Sequence, residues 1–145
     1  MKLYVINGAN LNLLGTREPA IYGGKTLDDI NAEIVKKCSS LNCEVVFFQS
    51  NCEGAIIDKL HEAGEKADGV IINPGAYTHY NYAIRDAISS IAVPVVEVHI
   101  SNIHAREDFR HKSVISEVCK GVLCGFGSEG YLMAAEFLIK SFGEK

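Results

Sequence analysis

The sequence has no excess of positive charge, no apolar run of membrane-spanning length, no C-x-x-C cysteine pair and no low-complexity tract. Each absence narrows the function. With 14 Lys and Arg against 18 Asp and Glu, the net charge is −4 at pH 7. That argues against a general nucleic-acid or anionic-membrane surface, which needs a basic excess. An anionic ligand must therefore be held by a local cluster. The arginines are the place to look, and three of them, Arg17, Arg106 and Arg110, fall in segments that read as loop or short helix, while Arg85 falls in a longer one. The apolar runs are short and bounded by Gly or polar residues, far below spanning length. The N-terminal MKLYVING has one Lys and then a strand-like run, without the apolar core and cleavage site of a signal peptide. A cytosolic protein is the expectation.

The cysteines, at 38, 43, 52, 119 and 124, are odd in number, and Cys38, Cys119 and Cys124 lie in apolar periodic segments. There a free thiol acts as a small hydrophobe, so reduced structural cysteines are expected rather than a metal or redox site. Several familiar sites are missing as well. The first strand is followed by GANLNLLG, which is neither G-x-G-x-x-G nor the phosphate loop G-x-x-x-x-G-K-[ST]. H-E-x-x-H and G-x-S-x-G are absent. His99 and His104 with Glu97 imitate a metal site, but their spacing runs off a strand end and matches no template, so no metal is expected.

Strand and helix patterns alternate along the chain. Strand-like runs occupy 3–7, 44–50, 69–74, 93–100 and 121–127, several almost continuously apolar, as strands buried on both faces are. Thr26 with Asp29 makes a capping box for a helix whose apolar face is Leu27, Ile30, Ile34 and Val35. Residues 53–66, 80–91 and 129–142 carry further amphipathic helices, and 106–119 reads as a shorter one, charged at its start. Five βα units without a composition break imply one α/β domain over residues 1–145. The simplest architecture is a flavodoxin-like, doubly wound five-stranded parallel sheet of order 2-1-3-4-5.

Ligands of such sheets bind outside the carboxyl ends of the strands. For Asn12, Asn51 and Ser128 the plain reading is turn and cap chemistry. The ends of strands 3 and 4 differ, because His79 and His99 fall at one edge of the sheet with Asn73, Glu97 and Ser101 beside them. Glu97 and His99 are two apart on one strand, so their side chains share a face. A carboxylate next to an imidazole fixes its tautomer and supports it as a proton donor, although a histidine can also be purely structural. A nucleotide- or flavin-binding module on the same fold is the alternative.

Four blocks, in order and in register, carry a resemblance: NGANLNLLGTREPAIYG, NPGAYTHYNYAIRDAI, VEVHISNIHAREDFRHKSVIS and GFGSEGY. They resemble type II 3-dehydroquinate dehydratase over essentially the whole chain. The resemblance implies a flavodoxin-like fold and removal of water from 3-dehydroquinate through an enolate, with no cofactor and no metal, in the shikimate or quinate pathway. It implies a dodecamer built as a tetramer of trimers, with no nucleic-acid or membrane partner. By resemblance, Tyr22 is the base that takes the proton alpha to the ketone, and Arg17 is its neighbouring cation. His99 is the general acid oriented by Glu97, and Asn10 helps hold a water on the enolate. Substrate contacts come from Asn73, His79, the Ile100 backbone, Ser101 and Arg110. Arg106 closes over the site with the lid, and Asp86 reaches the site of a neighbouring subunit. The run Tyr80-Asn81-Tyr82 departs from the small or hydroxyl residues often found there and sits near the trimer contact by resemblance. The lid itself is GTREPAIYGG, residues 15–24. A phenol with its ordinary pKa of about 10 is a poor base near neutrality, so a loop tyrosine in this role needs a cation folded against it.

Overall fold

The computed structural model describes residues 1–143; residues 144–145, the end of the expected domain, lie outside the described residues. Strands β1 (Lys2–Asn7), β2 (Glu44–Gln49), β3 (Gly69–Asn73), β4 (Val95–His99) and β5 (Gly121–Cys124) form one parallel sheet. Its order is β2-β1-β3-β4-β5, as the alternating pattern predicts. All residues of the inner strands β3 and β4 are buried, whereas edge strands β2 and β5 are only partly covered. This is the reason the inner strands read as near-continuous apolar runs.

The side-chain alternation of each strand sorts the core into two layers. Leu3, Val5, Ile71, Val96 and Val98 pack under α2 (Leu27–Ser40) and α5 (Glu129–Phe142). Tyr4, Ile6, Val70, Ile72 and Val95 pack under α3 (Glu53–Lys66) and α4 (Tyr82–Ser89). Each fully buried Leu or Ile contributes about 1.5–3 kcal/mol, so the two layers together hold the sheet between its helices. By the same parity Asn7 and Asn73 point toward α5, while Glu97 and His99 point toward the α4 side.

The helix starting at Leu27 has its capping box: the Asp29 N–H donates to Thr26 Oγ1 at 3.1 Å, and the Thr26 N–H donates to Asp29 Oδ2 at 2.9 Å. Ile30 and Ile34 are buried, but Val35 is 43% exposed and lies off the apolar face expected for it. A single residue step of about 100° separates it from Ile34, enough to carry it past the edge of the stripe. The segment read as a short helix over 106–119 is instead two single 3-10 turns, Asp108–Arg110 and Ser116–Val118. Its polar groups bond outward to the cleft and to α4, rather than forming a continuous internal ladder. Ser128 precedes α5 but its side chain makes no capping bond; its Oγ accepts from Lys25 Nζ at 3.2 Å. Among the described residues no helix is long and apolar enough to cross a membrane.

Candidate active site

The carboxyl ends of β1, β3 and β4 lie side by side, with Asn7 in register with Asn73. Gly8 allows this approach: a Cβ there would stand 2.3 Å from the carbonyl oxygen of Pro74. Beneath the strand ends, Tyr131 of α5 is fully buried. Its hydroxyl donates to Asn7 Oδ1 at 2.6 Å and accepts from Asn73 Nδ2 at 2.9 Å. Burial pushes this phenol well above its ordinary pKa, so it stays a neutral donor. The Asn73 Oδ1 accepts the Gly75 N–H at 3.1 Å, which closes the turn after β3.

Above these ends is a narrow cleft. Arg17 and Tyr22 reach it from the lid, Asn73 and His79 from the end of β3, and His99, Ile100, Ser101, Arg106 and Arg110 from the end of β4. Nine of the residues singled out from the sequence thus line one cavity. Three of the four arginines are among them, in a chain of net charge −4. Glu97 stands just behind, completely buried and bonded to His99 Nε2. Asn10 and Asp86 are outside this lining. Asn10 is exposed in a left-handed conformation (φ 69°), its N–H donating to Asn51 Oδ1 at 2.9 Å. Asp86 is exposed on α4. A wider groove lies on the far side of Tyr22 and Arg106, but the narrower cleft is the one lined by both histidines.

The lid contains one turn of helix, α1 (Pro19–Tyr22), ended by Gly23 in a conformation (φ 79°) that L residues rarely adopt. Two guanidinium groups meet Tyr22. Arg17 lies over the ring face, 4.6 Å from its centroid. Arg106 donates from Nη1 to the phenolic oxygen at 2.9 Å and to Ser101 Oγ at 3.3 Å. The direct contact to oxygen therefore comes from Arg106, while the lid's own arginine stacks. The phenolic oxygen thus accepts from one cationic N–H donor while a second cation covers the ring face.

The two histidines lie nearly parallel, ring centroids 6.5 Å apart and planes at 17°. His79 Nδ1 bonds the Lys112 carbonyl oxygen at 2.7 Å. Burial pushes the His79 pKa below its ordinary 6.5, more than offsetting the pull of that backbone bond. His79 therefore sits neutral at neutral pH. Burial alone would raise the carboxyl of Glu97, but His99 together with the hydroxyls of Ser116 and Thr78 outweighs it, and the pKa is lowered. The site thus holds a fixed anion behind one imidazole and two cations on a phenol, with the imidazole and the phenol lining the same cleft. Such an arrangement can remove a proton on one side of a small ring and deliver one on the other.

Several contributors were not singled out from the sequence. Thr78, Ser113 and Ser116 all bond Glu97, Tyr131 supports Asn73, and Phe109 packs edge-on against His79 at 6.3 Å. The hydroxyls of Ser113 and Ser116 follow Arg110 within the run HKSVIS, which is a hint of a polar wall. Nothing local ties them to a carboxylate 16 and 19 residues earlier.

A sequence profile of the class II dehydroquinases matches residues 1–139. The 3-dehydroquinate dehydratase 1 of Agrobacterium fabrum is 61% identical over 136 residues, which cover 94% of this chain and 94% of that protein. A crystal structure of type II dehydroquinase from Butyrivibrio crossotus superposes with a TM-score of 0.93 at 54% identity, covering 95% of this chain and 97% of that one. That of Propionibacterium acnes also gives 0.93, at 42% identity and 96% coverage of both. These likenesses span the whole sheet and the cleft, and they disfavour the nucleotide- or flavin-binding alternative.

Proposed function

The chain belongs to the class II dehydroquinase family, and on that premise we propose that it converts 3-dehydroquinate to 3-dehydroshikimate and water through an enolate. Its place is the shikimate pathway of aromatic amino acid biosynthesis or quinate breakdown. The single observation that carries the reading within the chain is the pairing of Tyr22 with two guanidinium groups across a cleft from His99 and Glu97. Tyr22 takes the proton alpha to the ketone. Arg17 and Arg106 offset the negative charge on the phenol and on the enolate that forms, and Asn10 helps hold a water on the enolate oxygen. His99, oriented by Glu97, donates a proton to the departing hydroxyl, which leaves as water because hydroxide is a poor leaving group. The electron pair of the enolate becomes the new carbon–carbon double bond, conjugated to the ketone.

Asn73, His79, the Ile100 backbone, Ser101 and Arg110 bind the substrate. The carboxylate of the substrate suits a cleft that gathers three arginines in an otherwise acidic chain. Asp86, exposed on α4, completes the site of a neighbouring subunit. The reading extends to a single catalytic domain that works in the cytoplasm as a dodecamer, a tetramer of trimers, with no cofactor or metal. Free cysteines throughout are in keeping with a reducing compartment.

The test is to add 3-dehydroquinate and follow the conjugated enone by ultraviolet absorbance. The wild-type chain turns over, and Tyr22→Phe loses roughly 10²–10⁴-fold in kcat. An inactive wild type would overturn the function, and full activity in Tyr22→Phe would overturn the role of the base.

A further inference from the structure

Glu97 has an unusual number of donors. Thr78 Oγ1 donates to its Oε2 at 2.6 Å and Ser116 Oγ donates to its Oε1 at 2.6 Å. Ser113 Oγ lies 3.0 Å from both carboxylate oxygens, and His99 Nε2 bonds Oε2. Ser113 Oγ accepts the N–H groups of Ile115 (3.3 Å) and Ser116 (3.1 Å) and lies 3.1 Å from Thr78 Oγ1, so its proton is left for the carboxylate or for the Thr78 hydroxyl that itself donates there. An ionised carboxylate accepts from all of these neighbours at once, whereas a protonated one would have to turn one of the hydroxyls from donor to acceptor. The cage is therefore matched to the ionised form. It also decides the proton on His99: Nε2 carries hydrogen toward Glu97, and Nδ1 is left for the cleft.

The cage is stiff. The Val114 N–H donates to the Thr78 carbonyl at 2.8 Å, and Arg85 of α4 donates to the Val114 carbonyl at 2.7 Å and pairs with Glu117 at 3.2 Å. The other titratable groups facing Glu97 are His79 from the turn after β3 and Cys119 beyond the second 3-10 turn. Burial first, and Glu97 second, push the Cys119 thiol to about 12, so it brings no charge.

We propose that Thr78, Ser113 and Ser116 are positioning residues of the dehydration, holding Glu97 as a fixed anion that sets the tautomer of His99 and presents Nδ1 to the leaving hydroxyl. This rests on the reading of His99 as the general acid. For the elimination Nδ1 first takes up a proton from solvent through the cleft, giving an imidazolium balanced by the fixed Glu97 anion. That Nδ1 proton then passes to the departing oxygen as water forms, and His99 returns to the Nε2–H tautomer with its remaining proton still held toward Glu97. None of the three residues lines the cleft, so their loss acts through Glu97 and His99.

Thr78→Val and Ser116→Ala, each checked for folding by thermal denaturation, are compared with the wild type and with Thr78→Ser. A hydrogen bond to a charged group predicts a loss of roughly tenfold or more in kcat, with KM within about twofold. The acid limb of the pH profile moves to higher pH, because a carboxylate with fewer donors takes up a proton more readily. Thr78→Ser restores kcat. Nitrogen-15 NMR of the histidine-labelled wild type shows His99 as the Nε2–H tautomer, whatever becomes of the variants. Unchanged kcat and pH profile in folded variants, a change in KM alone, or an Nδ1–H tautomer each overturn the proposal. Loss of activity in the wild type overturns the dehydratase reading instead and leaves the NMR result to decide the cage.

Discussion

Replacing Tyr131 with Phe removes one oxygen and leaves the ring in place, at a position with no exposed surface. Two side chains then lose a partner. Asn7 Oδ1 loses its 2.6 Å donor and Asn73 Nδ2 loses its 2.9 Å acceptor, and these residues are only 1% and 4% exposed. A buried polar group left unmade costs about 1–3 kcal/mol, so the pair costs about 2–6 kcal/mol in total. The vacated space is one oxygen wide, too small to admit water as a substitute. For a chain of this length each kcal/mol lowers Tm by about 3–4 °C, which predicts a fall of roughly 6–24 °C. Urea unfolding at fixed protomer concentration measures the free energy, and enone formation measures activity in the same samples. Because Asn73 keeps its bond to the Gly75 N–H, the turn survives, and the effect on turnover appears mainly as a raised KM. A stability change under about 0.5 kcal/mol would show that the two asparagines find other partners and that Tyr131 does not hold the strand ends.

Gly8→Ala places a methyl 2.3 Å from the Pro74 carbonyl oxygen, a backbone atom that cannot swing away. Overpacking of this kind costs about 3 kcal/mol, and a denaturation midpoint equal to wild type would contradict the close approach. Thr26→Ala removes the acceptor of the Asp29 N–H and lowers stability by about 1 kcal/mol with kcat intact; a drop in kcat instead would mean that this cap sets the lid. For Glu97 the sign follows from its depressed folded value. The carboxylate contributes stability above its unfolded value of about 4.5, and that contribution is lost as pH falls through the lower folded value. The stability gap between wild type and Glu97→Gln should therefore be widest near pH 7 and shrink below pH 4.5. Urea titrations across pH 3–7 test it, and a constant gap would count against an ionised Glu97.

Much of the site was legible because the fold itself is periodic. Once β3 and β4 are read as inner strands, the residues after them, Asn73, His79, His99 and Ser101, must emerge at one edge, and they do. The pairing of Glu97 with His99 needed only the two-residue repeat of a strand. The two-way division of labour between the arginines was not legible. Arg17 and Tyr22 are neighbours in the chain, which suggests contact between them, but Arg106 is 84 residues from Tyr22 and takes the oxygen.

Local regularities were thus enough for the elements, the sheet order and the edge where chemistry gathers, because hydrophobic period and capping act over a few residues. The helix read over 106–119 failed for the converse reason: its polar groups are claimed by distant partners, Glu97 and Arg85 among them, and a window along the chain contains none of those. The hydroxyl cage, the buried Tyr131 with its asparagines, and the guanidinium on the phenol oxygen are all contacts between segments far apart in the chain. Amino-acid order by itself determined which groups arrive at the sheet edge; the tertiary structure alone decided which atom each one touches, because hydrogen-bond direction depends on the packing of separate elements at ångström scale.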